Sequence, residues 1–233
     1  AEQFRNIITG IITGIIIPLL PLYIFGIFLQ MTVAGQVADI MGVFLKLIVL
    51  IFFLTVALLV IQFSIAGLVA RRNPFKMLRT MLTAYVTALG TQSSAATIPV
   101  TLQQTLKLGV RKEIAEFVVP LCATIHLSGS TMKIVACSLA VMMLGGYPIS
   151  TSTYVGFIMM LGITMIAAPG VPGGAIMAAV GILQTMLGFD ETMIGLMIAL
   201  YIAMDSFGTA TNVTGDGAVT VIIDKLYGSR HRQ

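Results

Sequence analysis

The sequence predicts an all-α membrane protein in which two re-entrant helical hairpins and two broken transmembrane helices form an inverted repeat. Three observations predict it: charge is scarce, the basic residues fall in separate clusters, and Gly-, Pro- or hydroxyl-rich interruptions recur within apolar stretches. Of the 233 residues, 58% are hydrophobic and 9% charged, with a mean hydropathy of +1.02. A soluble domain carries roughly 25% charged residues, so too few are present to cover a water-facing surface. Residues 6–38 and 134–189 contain no Lys, Arg, Asp or Glu, and each window exceeds the roughly 20 residues that one span needs.

Ten of the thirteen basic residues fall into three groups: Arg71, Arg72, Lys76 and Arg79; Lys107, Arg111 and Lys112; and Lys225, Arg230 and Arg232. The positive-inside rule places all three on the cytoplasmic side. The net charge of +4 therefore reflects basic loops, and no nucleic-acid partner is expected. The loops around Ala34–Asp39, Gly145–Thr153 and Asp190–Glu191 carry no Lys or Arg and fall on the opposite side. Cys122 and Cys137 lie fifteen positions apart in one apolar segment and read as reduced packing residues. The chain begins Ala-Glu-Gln-Phe-Arg, without an initiator Met or signal-peptide pattern, and is read as a portion of a longer chain whose earlier helices precede it.

The elements follow in order. Phe4–Met31 is a span kinked at Pro18 and Pro21, with Gly10 and Gly14 at a small-xxx-small spacing. A second span covers 38–70. Residues 80–106 separate two basic clusters, are too short to cross twice, and are too polar at Thr91–Thr97 to face lipid. They read as a hairpin, 76–110 with its flanks, entering from the cytoplasm; such backbone is tolerated only when buried in protein or lining a cavity. A broken span over 113–145 follows, interrupted at His126–Ser130. In 152–189 two apolar arms, Tyr154–Ala168 and Ala175–Leu187, flank Pro169–Gly174. Each arm is about 20 Å long at 1.5 Å per residue, short of the roughly 30 Å core, and the pair reads as a second hairpin, opening outward. The last span, 190–227, is expected to unwind at Asn212–Gly217. An ordinary bundle of kinked helices leaves the charge pattern around 80–106 unexplained. Paired interruptions in two inverted halves point to a transport site near the membrane midplane.

Ionisable residues at bilayer depth cost about 2.5–3.5 kcal/mol on insertion scales, which singles out His126, Lys133, Asp205 and Asp216. Asp205, Thr209, Asn212 and Asp216 recur at spacings of four, three and four, a polar stripe along one helix face. It is either an internal network between helices or a binding surface. For Asp216 within Thr-Gly-Asp-Gly, the expectation is a hard cation held by the carboxylate and freed carbonyls. His126 either exchanges a proton near neutral pH or caps the break beside it. Lys133 either neutralises a carboxylate or snorkels toward the outer interface. Ser93 and Ser94 at the first tip, and the glycines of the second, offer backbone N–H groups to a carboxylate. There is no nucleophile–base set, zinc spacing or phosphate loop, so enzymatic chemistry is not expected.

Thr91-Gln92-Ser93-Ser94-Ala95-Ala96-Thr97-Ile98-Pro99-Val100-Thr101 resembles the serine-rich first hairpin tip of the dicarboxylate/amino acid:cation symporters, the glutamate transporter homologues. Gly170-Val171-Pro172-Gly173-Gly174-Ala175-Ile176-Met177 is similar to their second tip, one residue shorter, and Asn212-Val213-Thr214-Gly215-Asp216 matches their last-helix motif. The resemblance implies an elevator transporter and a homotrimer in a prokaryotic cytoplasmic membrane, with residues 1–37 as scaffold and 38–233 as transport domain. By resemblance Asp205 would bind the substrate amino group. Thr209 and Asn212 would contact its polar head, and Ser93, Ser94, Ser130, Val171, Gly174 and Gly208 would complete the substrate site. Asn212, Asp216 and the carbonyl of Cys122 would hold one sodium. Thr124 with the backbone of Met165, Ile166 and Ala168 would hold another.

The departures are equally specific. Where acidic-substrate members carry an Arg, this chain has Gly208, and where some bacterial members have one at the first tip it has Gln92. Without a guanidinium to grip a carboxylate in bidentate geometry, a neutral or polar amino acid is the expected substrate. The family's Asn-Met-Asp-Gly reads His126-Leu127-Ser128-Gly129, so a third sodium site is expected to be lost, with His126 and Lys133 supplying charge in its place. A proton-coupled or dicarboxylate-specific carrier is the alternative; a channel or receptor-like binding protein is a more distant one.

Overall fold

The computed structural model describes residues 17–33 and 37–230, with isolated positions 7, 10, 11, 14 and 15 before them. Most of the start of the first expected span, Arg5, the loop residues 34–36 and Arg232 lie outside the described residues. The described residues form ten helices: α1 Ile17–Val33, α2 Val37–Ala70, α3 Pro74–Thr91, α4 Ser94–Lys107, α5 Lys112–Ile125, α6 Ser128–Leu144, α7 Thr151–Met165, α8 Gly174–Leu187, α9 Glu191–Ala203 and α10 Asp205–Arg230. Among these residues, Met41–Ala70 and Lys112–Leu144 are long and apolar enough to cross a membrane, with a third span if Glu191–Ala203 and Asp205–Tyr227 count as one. By internal packing the chain divides into one compact unit of Ala1–Ile51 and Thr131–Met204 and another of Phe52–Ser130 and Asp205–Gln233.

In the unit containing Phe52–Ser130, α3 starts where Pro74 follows Asn73, whose Oδ1 accepts from the N–H groups of Phe75 and Lys76 at 3.0 and 3.1 Å. It stops at Gln92, which adopts a left-handed φ of 53°. Ser93 then caps α4 by accepting from Ala96 N at 3.2 Å. The break thus falls at Gln92–Ser93, within the polar segment read as a hairpin tip, and α3 and α4 pack against each other. Met77, Met81, Ala84 and Ala88 form the buried face of α3, at the spacing that one helix face requires. The buried face of α4 is polar: Ser94, Thr97, Thr101, Gln104 and Thr105. This segment is too polar for lipid because its hydroxyls and amide point into protein, where Thr97 and Thr101 Oγ1 donate to carbonyls one turn back. Leu59, Phe63 and Ala66 of α2 join the core with Ala210, Val213, Ala218 and Val221 of α10, and α10 packs along α3, α4 and α5.

One expectation is overturned in this unit. The stretch Asn212–Gly217 is not unwound; α10 runs unbroken from Asp205 to Arg230. The glycines there serve close approach. A Cβ on Gly215 would lie 2.6 Å from Gln62 Oε1 and 2.7 Å from His126 Cε1, and one on Gly217 would lie 2.8 Å from the Met81 side chain. The interruption of this last span falls instead at Met204, which separates α9 from α10. The interruption between α5 and α6 lies at His126–Leu127, within the predicted His126–Ser130 but shorter, because α6 already begins at Ser128.

In the unit containing Thr131–Met204, α7 and α8 pack together. They are joined by residues 166–173, shorter on the α7 side than the arm expected to reach Ala168. Gly173 turns the chain at φ +71°, and a Cβ on Gly174 would strike the carbonyl oxygen of Pro169. Phe157, Leu161 and Met165 form the buried side of α7. Tyr154 Oη donates to the carbonyl of Val135 at 2.6 Å, fixing α7 to α6. Asp190 caps α9 by accepting from Met193 N at 2.8 Å. The run Met193–Tyr201 is buried throughout, and α9 packs on α1 and α8.

Because His126 and Gln62 lie directly on α10 at Gly215, Gly215→Ala is expected to destabilise the protein by about 1–3 kcal/mol, the usual cost of overpacking. Gly90→Ala in α3, where nothing lies within 4 Å of the added methyl, is expected to be neutral or to gain about 0.5–1 kcal/mol. Thermal unfolding of the two variants in detergent checks this difference.

Candidate functional site

The break between α5 and α6 leaves helix-terminal groups without partners inside their own helices, and α10 supplies them. Asn212 Oδ1 accepts from the backbone N–H of Gly129 at 2.7 Å and of Ser130 at 3.3 Å, two of the orphan donors in the first turn of α6. Its Nδ2 donates to Ser130 Oγ at 2.9 Å. Asn212 thus caps a helix from a neighbouring one, doing across space what an N-cap residue does locally. Gly129 is a glycine because a Cβ there would fall 2.7 Å from both the Gly208 carbonyl oxygen and Thr211 Cβ.

One turn further along α10, Asp216 Oδ1 lies 2.8 Å from His126 Nδ1, with Asp216 fully enclosed. The far side of the ring faces an amide nitrogen, which only donates, so the hydrogen of the neutral imidazole sits on Nδ1 and is donated to Asp216. The other ring nitrogen, Nε2, accepts from Gln62 Nε2 at 3.3 Å, and the same amide donates to Ser128 Oγ at 3.1 Å. Gln62 Oε1 is buried with no partner. Gln62 was not singled out from the sequence, although an amide in the middle of the apolar α2 segment was a readable signal. Thr220 Oγ1 completes the cluster by donating to the Asp216 carbonyl at 2.6 Å.

Asp205, Thr209, Asn212 and Asp216 are all buried on α10, and the unbroken helix keeps them on one face at the predicted spacing. Asp205 is the first residue of α10, where the helix dipole favours a carboxylate. Ser94 and Ser130 are also buried in this unit. Ser93 is the cap of α4. Thr124 Oγ1 donates to the Leu121 carbonyl at 2.7 Å. Met165, Ile166, Ala168, Val171 and Gly174 belong to the other unit, where Gly174 N donates to the Val171 carbonyl at 3.0 Å and Ala168 N to the Met165 carbonyl at 3.2 Å.

Lys133 is wholly buried. Its Nζ donates to the carbonyl of Met204 at 3.3 Å and sits 3.4 Å from the centroid of the Tyr201 ring. Lys133 does not reach toward an outer interface. It places a cation over an aromatic face and against a carbonyl released at the end of α9.

A hard cation is held by oxygen lone pairs that face it. In the set expected for sodium, Asp216 Oδ1 already receives the imidazole, Asn212 Oδ1 receives two N–H groups, and the Cys122 carbonyl receives His126 N at 2.8 Å. The carbonyls of 212–217 lie within an unbroken helix. The expectation of freed carbonyls around Asp216 is therefore corrected: in this arrangement Asn212 Oδ1 is filled by two N–H groups, and Asp216 Oδ1 faces an imidazole nitrogen.

Over residues 1–226 the sequence matches the family described as sodium:dicarboxylate symporters. Excitatory amino acid transporter 4 of Mus musculus is 31% identical over 160 residues, covering 68% of this chain and 28% of that protein. Excitatory amino acid transporter 1 of Homo sapiens is 32% identical over 165 residues, covering 70% of this chain and 30% of the relative. An uncharacterized symporter of Haemophilus influenzae is 33% identical over 215 residues, covering 91% of this chain and 48% of the relative. The matched chain thus spans less than half the length of each of these relatives.

Asn212→Ala is expected to orphan two buried N–H groups at about 1–3 kcal/mol each. Amide hydrogen exchange at Gly129 and Ser130 should accelerate by at least about tenfold, while Ser130→Ala, which keeps the Asn212 acceptor, should change it far less.

Proposed function

The chain belongs to the sodium:dicarboxylate symporter family, and from that premise we propose that it is part of a multi-pass, cation-coupled symporter for an amino acid with a neutral or polar side chain. The observation that carries the reading is the buried polar face of α10, on which Asp205, Thr209 and Asn212 share a side. A buried carboxylate of this kind suits an ammonium group, by a charge-assisted hydrogen bond. Thr209, Asn212, Ser94 and Ser130 supply hydroxyl and amide groups for the substrate's polar head. Gly208 offers no guanidinium to a second carboxylate, which supports a neutral side chain over an acidic one.

The proposal extends to the architecture. The paired helices α3–α4 and α7–α8 are re-entrant hairpins, residues 1–37 belong to a fixed scaffold and 38–233 to a moving transport domain. The assembly is a homotrimer working by an elevator motion in a prokaryotic cytoplasmic membrane. The bacterial relative supports that location. Sodium is the proposed coupling cation, in line with the family's description.

The test uses the full-length protein in proteoliposomes. Labelled neutral amino acids should enter saturably under an inward sodium gradient and exchange with unlabelled substrate, and absence of uptake for every amino acid tried would refute the reading. Asp205→Asn should weaken substrate binding by about 10- to 100-fold, the value of a charge-assisted hydrogen bond. Gly208→Arg should shift preference toward aspartate or glutamate, read as the ratio of acidic to neutral amino-acid uptake.

A further inference from the structure

The side chain that meets the Asp216 carboxylate is His126. The imidazole is held on three sides. Nδ1 donates to Asp216 Oδ1 at 2.8 Å, and Nε2 accepts from Gln62 Nε2 at 3.3 Å. The ring edge at Cε1 lies so close to α10 that a Cβ on Gly215 would stand 2.7 Å away. Gln62 is itself tied to Ser128 Oγ at 3.1 Å, on the first turn of α6. Rotating the ring off Asp216 means breaking the bond at Nδ1 and the bond at Nε2 together, at a site where Asp216 is buried and the His126 side chain is 18% exposed.

We propose that the His126 side chain takes the place of sodium at the Asp216 carboxylate, so that this protein works without a sodium ion on Asp216. The inference rests on the symporter reading above and deepens it by assigning ion selectivity to His126, with Gln62 and Gly215 as its positioning residues. The chemistry is that of the donor set. Sodium is bound by carboxylate, carbonyl and water oxygens. Here a nitrogen donor occupies Oδ1 of the carboxylate, and the neighbouring oxygens of Asn212 and Cys122 already accept N–H groups. Asp216, buried to within 1% of full enclosure, receives its compensating donor from the protein itself.

The experiment compares full-length wild type, His126→Asn, His126→Gln and Asp216→Asn. Two measurements are made: the sodium-induced shift in unfolding temperature without substrate, against choline, and the sodium ions carried per substrate in proteoliposomes. Replacing the ring by an amide oxygen should open the cluster. His126→Asn should therefore show a sodium-induced shift larger than wild type by about 4 °C or more, as a newly saturated ion site produces. It should also carry one additional sodium ion per substrate. His126→Gln keeps the falsification open should the shorter side chain fail to fold, and is expected to behave in the same direction. The sodium count of Asp216→Asn should equal that of wild type, which decides the matter even if neither His126 variant is stable. A wild-type sodium count that Asp216→Asn lowers by one overturns the proposal, as does an unchanged sodium-induced shift in folded His126→Asn. The thermal measurement needs no transport, so failure of amino-acid uptake would refute the symporter reading while leaving this one still decided.

Discussion

Two helix ends meet inside the protein at His126–Leu127, and the polar face of an intact neighbouring helix satisfies them. The close packing of α10 against α5 and the start of α6 in the Phe52–Ser130 unit follows from that arrangement. Asn212 receives the two N–H groups that α6 exposes at its start, and Asp216 receives the side chain of the residue that ends α5. Each such donor left bare in an apolar interior costs about 1–3 kcal/mol, so a break at this depth requires a partner helix that carries acceptors at matching heights. An amide and a carboxylate four residues apart on α10 lie one turn apart on the same face, which is the separation the broken helix presents.

The constraint then spreads through packing. Acceptors as short as Asn and Asp reach the break only if α10 lies almost against it. The close approach explains Gly129 facing Gly208 and Thr211, Gly215 facing Gln62 and His126, and Gly217 facing Met81. The alanines Ala66, Ala84, Ala88, Ala210 and Ala218 in the adjoining core serve the same end, since small side chains let helix backbones approach closely in lipid. Polar groups and small residues are thus two parts of one solution. The polar groups satisfy the break, and the small residues let them reach it.

The other unit meets a similar problem with different chemistry. The carbonyl released where α9 ends at Met204 is taken by the ammonium of Lys133, which rests on the face of Tyr201. A donor-rich cation suits a helix C-terminus as an acceptor-rich amide suits an N-terminus. Lys133 is completely buried without a bulk-water contact, and its carbonyl and aromatic partners provide local replacements for hydration.

The sequence by itself determined the membrane class, the number and order of interruptions through α3–α8, the tips of both helical pairs and the polar face of α10. These depend on local quantities: apolar run length, charge placement, turn chemistry and the helical repeat. It also named His126, Lys133, Asp205 and Asp216 as the costly residues, because an ionisable group in an apolar span stands out without any structure. What only the tertiary structure decided was who partners whom. The Thr-Gly-Asp-Gly motif reads as unwound backbone because glycine signals both a break and a close approach. The presence of Gln62 and His126 against Gly215 selects the second meaning, and the interruption of this span lies at Met204. Gln62 stood sixty-four residues from His126 in sequence, beyond the reach of any periodicity. The contact of His126 with Asp216 spans ninety residues, and it gives a carboxylate that the motif alone reads as a cation ligand a hydrogen-bond partner within the protein. Lone pairs have a fixed capacity, and which donor fills them is settled by the fold.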